Sequence, residues 1–239
     1  ETVWPNPARV YGGMGIGALS NGVTTINKGS ITMGGESSIG LYNEGIADSE
    51  SDHIIVNNNK GVAVYGSYGE VTMSPSHIAS TTRLKANSLE VNWENWVVLY
   101  SKAGNIELSP LVAGNSLEIT ANGNSTYAFF YETASKGATT TEGKFTIHDK
   151  VNVNLKNGGI GFYYNGMGGI ADIPTYINRI VDSSGGQLAI LSDENSYKMS
   201  IENVFSYKNN KTLAETLNYK KYEKLFEKVE DRYKSLKEQ

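Results

Sequence analysis

The sequence predicts an all-β chain, a parallel β-helix (solenoid) followed by a C-terminal α-helix, and three observations predict it. The first is a phrase of apolar–x–apolar closing on tyrosine. It reads Ser38-Ile39-Gly40-Leu41-Tyr42, Gly61-Val62-Ala63-Val64-Tyr65, Trp96-Val97-Val98-Leu99-Tyr100, Tyr127-Ala128-Phe129-Phe130-Tyr131 and Gly159-Ile160-Gly161-Phe162-Tyr163, with tyrosines 23, 35, 31 and 32 residues apart. Recurrence at that period marks units that cannot bury their apolar face alone and must stack. The second is composition: 239 residues, 39% hydrophobic, 19% charged, with 26 glycines. β-Branched and aromatic residues suit the pleat, while Gly and Asn accept left-handed corners. The third is that strand, corner and strand keep their order within each repeat.

Each repeat opens on an alternating strand: Ile31-x-Met33, Ile54-x-Val56, Leu89-x-Val91, Leu117-x-Ile119 and Val151-x-Val153. An Asn- or Gly-rich corner follows: Gly34-Gly35, Asn57-Asn58-Asn59, Asn92, Asn122-Gly123-Asn124, and Asn154 with Asn157-Gly158. The tyrosine phrase comes next, then a closing strand such as Val71-x-Met73, Ile106-x-Leu108 or Phe145-x-Ile147. Asn87-Ser88-Leu89-Glu90 recurs as Asn115-Ser116-Leu117-Glu118, and Ser74-Pro75 as Ser109-Pro110. Three strands per turn make about six coils and a rod near 30 Å at the usual interstrand spacing of about 4.8 Å. Leu41, Val64, Leu99, Ile31, Ile54, Leu89 and Leu117 are expected to point inward, and the corner asparagines to stack as amide ladders. An antiparallel sandwich is the rival fold.

Before the repeats, Gly15-Ile16-Gly17-Ala18-Leu19 reads as a worn copy of the phrase. A dinucleotide fingerprint would need a helix after those glycines, and no helical pattern follows. Between Asn165 and Gly186 the rhythm breaks, and Ile170, Ile173, Ile177 and Ile180 at three- or four-residue steps predict a short helix. The rod is expected to resume at Gly186 and to end near Ile201. The chain therefore divides into a β-helical segment, 1–204, and a helical segment, 205–239. In the latter, Thr212-Leu213-Ala214-Glu215 fits a capping box, and Tyr219, Tyr222, Phe226, Val229, Tyr233 and Leu236 form one apolar stripe. Its expected role is a cap over the end of the rod, with a stalk or a linker as alternatives.

Composition also bounds function. A formal charge of −4 argues against a nucleic-acid partner. The chain has no cysteine, which removes disulfides, thiolate catalysis and zinc–thiolate sites. No apolar run reaches the roughly 18 residues of a membrane span, so no direct membrane insertion is expected. No basic start with an apolar core is present, and opening on Glu1 suggests a mature or excised piece. Asp48, Asp52, Asp149, Asp172, Asp182 and Asp193 are scattered, and arginine is scarce. His53, His77 and His148 could supply at most two metal ligands if coils stacked them, short of the usual three or four. No nucleophile elbow, Walker loop or H-E-x-x-H is present. The expectation is a non-enzyme with no metal and no cofactor. Asn124-Ser125-Thr126 is formally a glycosylation acceptor, but geometry explains a corner asparagine better. The repeated tyrosines read either as a glycan-stacking ladder or as rings covering the tube edge.

The boxes Ser38 to Asn43, Gly61 to Tyr65 and Gly159 to Tyr164 resemble those of large Gram-negative type V autotransporter adhesins. There, GIGLYN-like boxes recur along a right-handed β-helical passenger domain, and the resemblance spans roughly residues 15–201. It implies a secreted cell-surface segment, held at the outer membrane through a part absent from this chain. Its partner would be a host-cell receptor or glycan, or another bacterium. The family shares no binding motif, so no contact residue carries over. The stretches 43–52, 74–86, 132–143 and 165–185 interrupt the repeat and are the candidate contact loops. The alternatives are a β-helical enzyme acting on polysaccharide (a lyase, hydrolase or depolymerase) and a purely structural spacer.

Overall fold

The computed structural model describes residues 13–18, 22–58, 60–67, 80–136, 139–141, 143–165, 180–182, 187–191 and 197–200. All their regular structure is β. The strands are β1 (Gly13–Ala18), β2 (Val23–Asn27), β3 (Ser30–Met33), β4 (Ser38–Asn43), β5 (Ile46–Val56), β6 (Val62–Ser67), β7 (Thr81–Val91), β8 (Val97–Lys102), β9 (Asn105–Pro110) and β10 (Leu117–Asn122). They continue as β11 (Tyr127–Glu132), β12 (Ala134–Lys136), β13 (Thr139–Thr141), β14 (Lys144–Ile147), β15 (Val151–Lys156), β16 (Ile160–Asn165), β17 (Ile180–Asp182), β18 (Gln187–Leu191) and β19 (Tyr197–Ser200).

Two large sheets take almost all of them. The eight-stranded sheet runs β1-β4-β6-β8-β11-β16-β18-β19, parallel from β1 to β18, with β19 antiparallel at its edge. The nine-stranded sheet is two columns joined by its two long strands. β2, the first half of β5, the first half of β7, β9 and β14 form one column. β3, the second halves of β5 and β7, β10, β15 and β17 form the other. From β1 to β15 the chain visits the large sheet, the first column and the second column in that order, so each pass supplies three strand segments. Parallel pairing of every neighbouring pair in both sheets except β18–β19 rules out the antiparallel sandwich.

The core lies where these walls face each other. Leu41, Val64, Leu99, Ile54, Leu89 and Leu117 are fully buried and Ile31 nearly so, as the alternation predicts. Phe129 and Phe162 extend the Leu41–Val64–Leu99 row, and Ile106, Leu108 and Phe145 fill it from the first column. Ala63, Val98 and Ala128 are buried too, so both parities of the phrase are enclosed, as in parallel strands covered on both faces.

The corner leading into the large sheet holds the expected ladder. Asn92 Nδ2 donates to Asn57 Oδ1 (2.8 Å), Asn122 Nδ2 to Asn92 Oδ1 (2.9 Å), and Asn157 Nδ2 to Asn122 Oδ1 (2.7 Å). The chain reverses there through left-handed residues, Ser37, Lys60, Asn95 and Ser125, each one or two positions before its strand. At Asn157-Gly158 two consecutive positive φ values, 53° and 87°, are those a type I′ turn requires. Ser125 and Thr126 of the formal glycosylation triplet are spent on this corner, Thr126 Oγ1 donating to the Trp93 carbonyl. At the opposite corner, Asn43 of the first box is buried. Its oxygen accepts from Gly45 N (2.8 Å), and its amide reaches the Gly45 and Thr81 carbonyls and Thr82 Oγ1.

Several expectations are corrected. The literal match of Asn87–Glu90 with Asn115–Glu118 is not the spatial one: Leu89 pairs with Ile119, and Leu117 with Val151. An offset of two residues preserves the face, so burial hides the error. The phrase ending on Tyr131 is one residue out. Phe130 stands beside Tyr100 and Tyr163, while Tyr131 is buried and its hydroxyl accepts from Gly143 N (3.1 Å). Of the stretches read as loops, Ile46 to Ser51 lie in β5 and Thr81 to Ala86 in β7. Ile180, assigned to a short helix, lies in β17, and the end of the repeat turns back as the antiparallel β19. The worn copy does enter the large sheet, Ile16 beside Leu41, and a strand follows it. The helical segment 205–239, Val71–Met73, Ser74-Pro75, His77 and most of 165–185 lie outside the described residues.

Candidate functional site

Three surfaces compete for function, beginning with the aromatic column. Tyr42, Tyr65, Tyr100, Phe130 and Tyr163 occupy one rung each of β4, β6, β8, β11 and β16. Their rings stack with centroids 5.1, 4.5, 4.8 and 4.1 Å apart and planes within 24° of parallel. Tyr127 adds edge contacts to Phe130 and Tyr163. Tyr42 donates its hydroxyl to Glu44 and Tyr100 to Glu132. Burial first, and then the neighbouring carboxylates, push both phenols well above the ordinary tyrosine range, and burial raises Tyr65 as well. Stacking a sugar on this column would need an open ring face, and the inner rings use both of theirs on one another.

Among the described residues, His53 and His148 do not converge. His53 lies in the second column, its Nε2 3.3 Å from Thr32 Oγ1 and its Nδ1 3.5 Å from Asp52. His148 follows β14 at the end of the first column, 2.7 Å from Asp149. Among the described residues no group of three potential metal ligands forms. Glu118, on the second column, accepts from Ser116 (2.7 Å), Asn152 (2.8 Å) and Asn154 (3.0 Å). Burial pushes its pKa up, but the three donors outweigh it and hold the carboxyl below its usual range. Its acceptor capacity is directed at its own sheet.

The third surface was not legible as a site. Over the first column lies an open groove of about 520 Å³. Parallel register lines it with two ladders, Thr25–Asp48–Arg83–Glu107–Thr146 and Asn27–Glu50–Lys85–Ser109–His148. Arg83 sits between two carboxylates, 2.9 Å from Asp48 and 3.9 Å from Glu107, and Lys85 lies 3.6 Å from Glu50. The hydrogen bond that Arg83 donates to Asp48, with the charge of that carboxylate, raises the Arg83 pKa. The signal in the sequence is period-2 charge, Asp48-x-Glu50 and Arg83-x-Lys85. It is masked because the alternate positions, Ala47, Ser49 and Thr82, are small or hydroxylic rather than plainly apolar. These are buried nonetheless, and Ser49 Oγ bonds Ser51 Oγ at 2.8 Å.

Comparison with protein-family models, with curated proteins and with solved structures finds no match.

Proposed function

We propose that the chain is a segment of a right-handed parallel β-helix that serves as a non-enzymatic adhesin of the autotransporter-passenger kind. It is a rigid rod at the bacterial cell surface, anchored in the outer membrane through a part outside this chain. It presents its outer walls to a host-cell receptor or glycan, or to a neighbouring bacterium. The observation that carries the reading is the lateral register. Equivalent residues meet pass after pass, in the asparagine ladder, the aromatic column and the buried Leu41–Val64–Leu99–Phe129–Phe162 row. The right hand is the one parallel crossover connections overwhelmingly take. Stacked passes make a stiff body with long walls, suited to reach and presentation.

A polysaccharide-acting enzyme is the second reading, favoured by the three carboxylates and two cations gathered in one groove. The purified chain should bind cultured epithelial cells or whole bacteria saturably and leave acidic and neutral polysaccharides uncut. Absence of binding to both cell types would leave only the spacer role. Release of new reducing ends, abolished by Glu107→Gln, would move the assignment to the enzyme.

A further inference from the structure

We propose that the groove over the first column is a binding site for a short, linear, neutral oligosaccharide lying across the strands. The proposal rests on the reading of this chain as a binding module and names the ligand class. The groove spans five strands, about 19 Å at the usual interstrand spacing. Its volume lies within the range of small-ligand sites. No aromatic side chain lines it, and its apolar lining residues, such as Leu84 and Leu108, belong to the core row, so hydrogen-bonding groups make its outward ladders.

Charge narrows the ligand. Asp48, Glu50 and Glu107 face Arg83 and Lys85, an excess of one negative charge, so a polyanion meets more repulsion than attraction. A polycation would have to displace Arg83 and Lys85 from carboxylates they already hold at 2.9 to 3.9 Å. A neutral polyol breaks no ion pair. Guanidinium offers five N–H donors and each carboxylate about four lone-pair positions, so the paired groups retain capacity for paired hydroxyls. Ser109 extends the same capacity along one ladder. The side chains are held at fixed rungs by paired strands, which lowers the ordering cost of binding. Exposed ion pairs contribute little to folding, so the fold itself does not require this lattice.

The test is a printed array of neutral and acidic oligosaccharides probed with the whole chain, followed by calorimetric titration of the best neutral binder. Arg83→Gln/Glu107→Gln is the variant, with circular dichroism confirming its fold. The expected result is saturable binding of at least one neutral linear oligosaccharide, recovered intact. The double variant should weaken it about tenfold or more, the loss of one or two charge-assisted hydrogen bonds. No neutral binder on the array, undiminished binding by the variant, or preference for acidic chains would overturn the site. Cell adhesion retained by the double variant would overturn the groove as the adhesive site while leaving the adhesin reading intact. Loss of adhesion and glycan binding together would support both.

Discussion

The aromatic wall and the charged wall are built by the same device, one residue per strand at matching register. On β4, β6, β8, β11 and β16 that residue is an aromatic ring, and on β5, β7 and β9 it is an ion of alternating sign. The aromatic wall is cohesive because each ring removes apolar surface from its neighbours, and the three inner rings, Tyr65, Tyr100 and Phe130, use both faces doing so. The charged wall is held by pairs that water screens, with Arg83 and Glu107 about half exposed. Identical stacking thus yields a wall the fold depends on and a wall the fold can lend to a ligand.

The contrast is sharpest in a pair of truncations. Tyr100→Ala removes a ring sandwiched between Tyr65 and Phe130. It should cost about 2–4 kcal/mol in urea unfolding, from lost burial and two aromatic contacts. Arg83→Ala should leave the urea midpoint almost unchanged, because water screens the pairs of this exposed guanidinium. Equal costs would mean that the charged lattice is structural and that its availability to a ligand has been misjudged.

Much of this was legible in the sequence because the large sheet and the second column carry apolar residues at period two. Leu41, Val64, Leu99, Ile54 and Leu89 announce themselves in that way, and Asn92 and Asn122 mark a corner in plain view. The first column hid because its interior at β5 is Ala47, Ser49 and Ser51, which satisfy burial by small volume and by bonding each other. Hydropathy alternation fails there, and the strands looked like loops. Corner chemistry misled in a second way: the left-handed residue after Asn57-Asn58-Asn59 is Lys60, not an asparagine. The fourth phrase slipped by one because Tyr127, Phe129, Phe130 and Tyr131 offer several equally aromatic registers, and only the pairing of Phe129 with Leu99 selects one.

Between the two walls in strength stands the asparagine ladder. Asn92 donates to Asn57 and accepts from Asn122, so Asn92→Ala should cost about 1–2 kcal/mol, two net hydrogen bonds. Asn57→Ala, which removes only the bond from Asn92, should cost about half of that. Asn92→Asp keeps the acceptor for Asn122 and loses the donor to Asn57, so it should fall between wild type and Asn92→Ala. Urea midpoints of the three variants would order them; an Asn57→Ala cost equal to that of Asn92→Ala would deny that the ladder works through its side-chain bonds.

A small, pH-dependent effect belongs to Glu118, a charge that behaves like the aromatic wall rather than the groove because its partners are the neighbouring Ser116 hydroxyl and two amides of its own sheet. The donors from Ser116, Asn152 and Asn154 hold its folded pKa below the ordinary 4.5. A depressed folded pKa means that the unfolded chain binds its proton first as acid is added. Its stabilisation is therefore complete at neutral pH, begins to fall as the pH drops through about 4.5, and is gone below the folded pKa. Glu118→Gln keeps the shape and removes the titration. Wild type should be the more stable at pH 7, and the gap should narrow as the pH falls through about 4.5 and be closed below the folded pKa. A gap that stayed constant across that range would show that packing of the side chain, and not its charge, is what joins β10 to β15.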